Sequence, residues 1–228
     1  MNRLRIGRRE LVGDALEGCD VLVVVNALGA ADMESREARR PAFSKEECAH
    51  VAAWVRSGGG LLLVADHFPM GAAAQELAQR FGVGMCKGVT LDREHAATSR
   101  AWLVFDRENG LLGDHAITRG RGARERIERV MTFTGQALEG PAGSATLLEL
   151  GPRAVDVVPP ERERVPVGGR AHGLALELGS GRVVVLGEAA MLSAQRIGPE
   201  RIPFGMNVPG VDNRQLALNG LHWLSGDL

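Results

Sequence analysis

The chain has 228 residues, 45% of them hydrophobic, which is enough for one large domain with a substantial core. Its 27 basic and 28 acidic residues nearly cancel, so no global charge draws it to nucleic acid or to a membrane surface. No apolar run approaches the roughly 20 residues of a membrane span, and the opening Met1-Asn-Arg-Leu-Arg-Ile6 lacks the apolar core of a signal peptide.

Aromatics make up 4% of the chain and tyrosine is absent, so the core is expected to be built from Val, Leu and Ala. Three cysteines, Cys19, Cys48 and Cys86, are widely spaced and odd in number. That pattern fits free thiols in a reducing compartment better than a disulfide frame. The expectation is a soluble, cytoplasmic protein. No internal repeat or linker divides it, so residues 1–228 are read as a single domain.

In chain order, Glu10 to Glu17 predicts a short helix and Val21 to Val25 a buried strand ending at Asn26. Ala30 to Ala42 is polar and reads as a loop. Ser44 is a good N-cap, with Glu46 and Glu47 in the first turn of a helix that stops at Ser57-Gly58. Next, three glycines lead into Leu61-Leu-Leu-Val-Ala65, five apolar residues without a polar break, followed at once by Asp66-His67. This is the pattern of a fully buried strand whose end carries functional groups. A helix from about Gly71 to Arg80 follows. The β-α-β-α order predicts a parallel sheet with right-handed crossovers.

The middle is weaker in signal. Gly110 to Thr118 is turn-rich. Thr118 to Arg129 holds five arginines and reads as a solvated surface rather than an anion site. Val130 to Thr134 and Ala145 to Leu150 are predicted strands, and Val155 to Gly169 an exposed loop or hairpin rim. Apolar runs on both sides of Gly179-Ser-Gly181 predict a β-hairpin. Glu188 to Gln195 then predicts a short helix. A Pro/Gly loop runs to Gly210, and Asp212 caps a closing helix.

In an open parallel sheet, ligands bind beyond the carboxyl ends of the strands. Those ends deliver Asn26, Asp66, His67 and Glu188, and the loop before the last helix adds Asn207, Asp212 and Asn213. His67, Glu188 and Asp66 are the candidates for acid–base work. Asn26, Asn207, Asp212 and Asn213 are the candidate ligand contacts. Singly, each has a plainer role. Asp66 and Asp212 suit turns or caps, His67 suits a loop tie, and Glu188 is an acid favoured by a helix dipole. His172 extends the set toward a divalent metal, but no His-x-His or His-Glu-x-x-His spacing supports one, so no metal ligands are assigned. No cofactor is specified. The expected partner is a small polar molecule, and homo-oligomerisation is left open.

The strand, turn and helix from Gly59 to Val83 resemble the nucleophile region of class I glutamine amidotransferases. In that family a catalytic cysteine occupies the turn, where this chain has Asp66-His67, and Cys86 lies beyond the helix. A late strand of the family ends in a histidine and a glutamate, of which Leu186-Gly-Glu188 keeps the glutamate. The resemblance therefore implies the fold without the glutaminase reaction, for want of a thiolate to form the thioester. Val55-Arg-Ser-Gly-Gly-Gly-Leu61 and Leu221-His-Trp-Leu224 resemble non-amidotransferase relatives: the ThuA-like group, uncharacterised bacterial amidotransferase-like domains, and the N-terminal domain of an intraflagellar transport subunit. Gly187-Glu-Ala-Ala-Met191, Gly205-Met-Asn207 and Asn213-Arg-Gln-Leu-Ala-Leu-Asn219 are similar to the uncharacterised group. The resemblance implies an α/β, three-layer sandwich with a mostly parallel, flavodoxin-like sheet. It also implies a strand-end pocket for a small polar, carbohydrate-related ligand. The readings set beside it are a hydrolase or isomerase using His67 and Glu188, with or without a metal, and a non-catalytic interaction domain. These folds open with one more strand before Val21, and a sheet lacking it would expose an edge.

Overall fold

The computed structural model describes residues 10–228. Residues 11–18 form turns rather than the expected helix, because Gly13 and Gly18 adopt φ of 59° and 67°. Strand β1 (Val21–Val25) leads through a loop to α1 (Lys45–Arg56). The start of α1 is a full capping box. Ser44 Oγ accepts from the Glu47 N–H, and the Glu47 carboxylate accepts from the Ser44 N–H. The other carboxylate oxygen of Glu47 accepts from the Leu11 N–H, tying the first described turn to the helix.

Strand β2 (Gly60–Val64) is buried throughout and is followed by α2 (Met70–Gln79). Gly60 sits where a Cβ would lie 2.5 Å from the Leu224 carbonyl, so only glycine lets the last helix pack this closely. Short strands follow: β3 (Gly84–Met85), β4 (Val89–Leu91) and β5 (Val104–Asp106). A single turn, α3 (Ala116–Arg119), precedes β6 (Arg129–Met131), β7 (Leu138–Glu139) and β8 (Ala145–Glu149). The segment expected as a hairpin rim is a hairpin, β9 (Val155–Val158) and β10 (Glu163–Pro166). Strands β11 (Ala171–Leu178) and β12 (Gly181–Leu186) form the second expected hairpin around Gly179-Ser180, with Gly179 at φ 64°.

The expected helix at Glu188 to Gln195 is a 3₁₀ turn over Ala190–Leu192 that runs directly into β13 (Ala194–Ile197). β13 pairs with β14 (Ile202–Gly205), so the expected Pro/Gly loop contains a hairpin. Helix α4 (Asn213–Ser225) closes the described chain.

The main sheet has seven strands, in the order β1-β2-β12-β11-β7-β3 with β8 also on β11. Pairs β1–β2 and β2–β12 are parallel, as the β-α-β order requires. The β12–β11, β11–β8, β11–β7 and β7–β3 pairs are antiparallel, so the sheet is mixed rather than mostly parallel. The cause is local. A two-residue loop can join only antiparallel strands, so the Gly179-Ser180 turn reverses the sheet beside β12. Three smaller sheets stand apart: β10-β9-β4, β13-β14 and β5-β6.

Side chains alternate across the central strands. Leu61, Leu63, Val183 and Val185 pack toward α1 and α2, while Leu62, Val64, Val184 and Leu186 pack with Leu216, Trp223 and Leu224 of α4. β1 departs from the buried strand the sequence suggests. It pairs only with β2 among the described residues, and Val23 and Val25 are each 49% exposed.

Candidate functional site

At the carboxyl ends of β1 and β2, Asn26 and Asp66 lock together. Asn26 Nδ2 donates to Asp66 Oδ2 at 2.9 Å, and the Asp66 N–H donates to Asn26 Oδ1 at 2.9 Å. The Asn26 backbone has φ 47°, a left-handed conformation that asparagine tolerates better than most residues. Asp66 is buried and its Oδ1 accepts no well-formed hydrogen bond, the Ala189 N–H being its nearby backbone donor.

Glu188, at the end of β12, is fully buried. Its carboxylate accepts from the Ala190 and Met191 N–H groups at 2.6 and 2.8 Å, closing the 3₁₀ turn. Burial pushes the carboxyls of both Asp66 and Glu188 up, and the charge of Asp66 raises Glu188 further. A buried carboxyl beside a negative charge favours its protonated form, and Glu188 is the one so placed. His67 flanks Asp66 and is half-buried. Its Nδ1–H donates to the Phe68 carbonyl at 2.8 Å, which leaves Nε2 as the ring's acceptor in the neutral form.

Asn26, Asp66, His67 and Glu188 are thus brought to one edge. The other three are spent on backbone. Asn213 accepts from the Met131 N–H and donates to the Met131 and Met191 carbonyls. Asp212 stands at the cap position of α4 but does not cap it. Instead, its Oδ2 accepts from the Glu128 and Arg129 N–H groups at 2.8 and 3.0 Å. Asn207 donates to the Gln195 carbonyl in the β13–β14 hairpin. His172 is buried, stacked on Phe105 at 5.6 Å, and neither ring nitrogen has a partner. Burial pushes it down to about 4, so the ring is neutral at pH 7. Among the described residues, no three His, Cys, Asp or Glu side chains converge as a metal site would require.

Gln136, which sequence reasoning missed, holds the elbow, the turn that follows β2 at Ala65-Asp66. Its Nε2 donates to the Ala65 and Asp66 carbonyls at 2.9 and 2.7 Å, and its Oε1 accepts from the Lys87 N–H. Nothing in the flanking Phe133-Thr-Gly-Gln136 marks it.

A sizeable cleft lies elsewhere. It encloses about 630 Å³ between β3 and β7 of the main sheet and the β9–β10 hairpin, with Gln79, Cys86, Glu139, Asp156 and Arg170 on its walls. Arg170 pairs with Glu139 at 2.6 Å and donates to Cys86 Sγ at 3.1 Å. Asp156 is buried and accepts from the Thr90 hydroxyl at 2.6 Å. Burial nonetheless pushes the Cys86 thiol up, which disfavours its thiolate. Asp156 within Val155-Asp-Val157 was the available sequence signal: a carboxyl between two valines on a strand faces the side opposite to them.

No family model and no curated protein matches this chain. Among solved structures, it is similar to the mmIFT52 N-terminal domain, with a TM-score of 0.60 at 14% identity over 96% of this chain and 82% of that one. It is more loosely similar to the cytoplasmic protein STM1381 from Salmonella typhimurium LT2, with a TM-score of 0.45 at 14% identity over 96% and 75%. A putative ThuA-like protein from Parabacteroides merdae gives 0.39 at 13% over 80% and 66%. The first likeness establishes a shared α/β fold. The other two are too loose to carry an argument.

Proposed function

We propose that this chain is a class I glutamine amidotransferase-like domain, of the three-layer flavodoxin-like kind, that has no glutaminase activity and binds a small polar molecule. The observation that carries the ligand reading is the 630 Å³ cleft, whose size suits a small molecule and whose walls bring Glu139, Arg170 and Gln79 to one space. The non-glutaminase reading rests on Asp66 at the elbow and on Cys48 and Cys86, both of which burial holds as neutral thiols. A reducing, cytoplasmic setting agrees with three free cysteines.

The test is calorimetry against a panel of monosaccharides, polyols and amino acids, with an ammonia assay on glutamine alongside. Binding is expected in the native chain and is lost in Arg170→Met and Glu139→Gln, with no ammonia released. If no panel member binds at millimolar concentration, or if both variants bind as the native chain does, the reading fails.

A second reading is favoured by the elbow, where Asp66 Oδ1 is buried without a well-formed hydrogen bond beside a second protonatable carboxyl. A buried acceptor left open is a group that a substrate hydroxyl or amide satisfies. On this reading, Asp66 and Glu188 exchange a proton with the substrate and His67 assists, as in a hydrolase or isomerase. Loss of a measured turnover in Asp66→Asn, with cleft binding intact, would favour it over the first.

A further inference from the structure

Four arginines converge on a separate cleft of about 170 Å³. Arg93, Arg100, Arg153 and Arg164 line it over a floor that includes Leu91 and Val155, and Glu94 is the one carboxylate among them. Glu94 is taken up by Arg153 at 2.8 Å. Among the described residues, Arg93, Arg100 and Arg164 have no carboxylate within ion-pair distance. Three unanswered like charges held around one small space repel, and the apolar floor offers them no counter-charge. An anion entering the space relieves that repulsion.

The arginines come from separate segments, and buried Asp92 joins most of them. Its N–H donates to the Arg100 carbonyl, and its Oδ1 accepts from the Glu94 N–H at 2.9 Å. Its Oδ2 accepts from His95 Nδ1 at 2.8 Å. Both groups press on Gly151, where a Cβ would lie 2.4 Å from Asp92 Oδ2, and Gly151 fixes the turn that carries Arg153. Arg164 comes in on β10, on the same face of the small sheet as Val155 and Val157. The 630 Å³ cleft uses the opposite face, through Asp156 and Val165, so the two sites are independent.

We propose that this arginine cleft binds the phosphoryl group of a small phosphorylated molecule. Planar guanidinium forks match phosphoryl oxygens in pairs. A space of about 170 Å³ holds a phosphoryl group with room for a small remainder of the molecule. No aromatic side chain lines it, so there is no platform on which a base could stack, which argues against single-stranded nucleic acid.

The experiment is calorimetric titration of the full chain with inorganic phosphate, pyrophosphate and a short phosphomonoester. Two further arms use a single-stranded oligonucleotide and vesicles containing phosphatidic acid. Soluble phosphates are expected to bind, more weakly as salt rises because the site is exposed. Arg100→Gln and Arg164→Gln should each weaken binding roughly tenfold or more, the effect of losing one charged hydrogen bond. Arg164→Lys should recover part of that loss. Arg119→Gln, outside the cleft, should change nothing. All these side chains are exposed, and an unchanged melting temperature checks that each variant folds. The proposal is overturned if phosphates do not bind, or if Arg119→Gln weakens binding as much as Arg164→Gln. It is also overturned if the oligonucleotide or the vesicles bind while the soluble phosphates do not.

Discussion

Two regions of this molecule are rich in arginine, and they differ in what answers the charge. Between Arg119 and Arg129, neighbouring acids answer four of the five arginines. Arg119 pairs with Asp114, Arg121 with Glu125, Arg126 with Glu128, and Arg129 with Asp106. The solvated-surface reading of that run fits these pairs. In the cleft on the β10-β9-β4 sheet, three arginines have no such answer among the described residues. The conspicuous run in the sequence is the largely paired one, with Arg124 alone of its five arginines unanswered among the described residues, and the scattered set is the largely unpaired one. The count of arginines therefore says little, and the placement of carboxylates decides which region is open to an anion.

The strongest way to sharpen that contrast is a site where charge is refused altogether. His172 is buried without a partner for either nitrogen, and burial pushes it down to about 4 from an ordinary 6.5. The unfolded chain takes up the proton first, so this residue's contribution is intact above pH 6.5, falls as pH drops toward 4, and is flat below. The full difference is about 3 kcal/mol. Glu188, Asp66 and Asp156 oppose it, because carboxyls with raised values bind protons more readily in the folded state and favour folding as pH falls. Urea unfolding of the native chain and of His172→Leu between pH 7 and 4 isolates the histidine. Identical pH slopes would contradict the assignment.

A smaller effect is expected where the paired arginine run is anchored. Asn219 is fully buried on α4 and donates to the Ile117 and Glu125 carbonyls at 2.7 and 2.8 Å. Asn219→Ala leaves both carbonyls without that donor and should cost about 2 kcal/mol. If stability is unchanged, the run is not held by this contact.

Much of the frame was legible because its signals are local. Ser44 with Glu47, the Leu61 to Ala65 run and the Gly179-Ser180 turn each specify their structure within a few residues. The mixed sheet was half legible, since the hairpin that reverses it was read while its consequence for β11 was not. β1 reads as buried because valines dominate it, and sequence alone does not reveal that no strand lies on its outer side among the described residues. At the site, Asn26, Asp66 and Glu188 were legible as groups ending apolar strands. Gln136, Asp92 and the arginine cleft were not, because each acts through partners far away in sequence. Asn207, Asp212 and Asn213 were plausible by type and turned out to bind backbone.

The two smallest predictions test the paired region itself. Asp212 accepts from two backbone N–H groups at the entry to β6, and Asp212→Ala should cost about 1 kcal/mol, since these partly exposed donors can turn to water. Asp212→Asn keeps an acceptor oxygen and should recover most of it. The Arg121–Glu125 pair should contribute less still. The guanidinium beside Glu125 holds that carboxyl down at about 2, yet both groups are solvated. Exposed ion pairs gain little, because water and salt already screen them. Arg121→Gln should leave the melting temperature unchanged at physiological salt. A clear drop that disappears in high salt would mean that the run is held together by its charges, and that the contrast with the open cleft is one of strength rather than of kind.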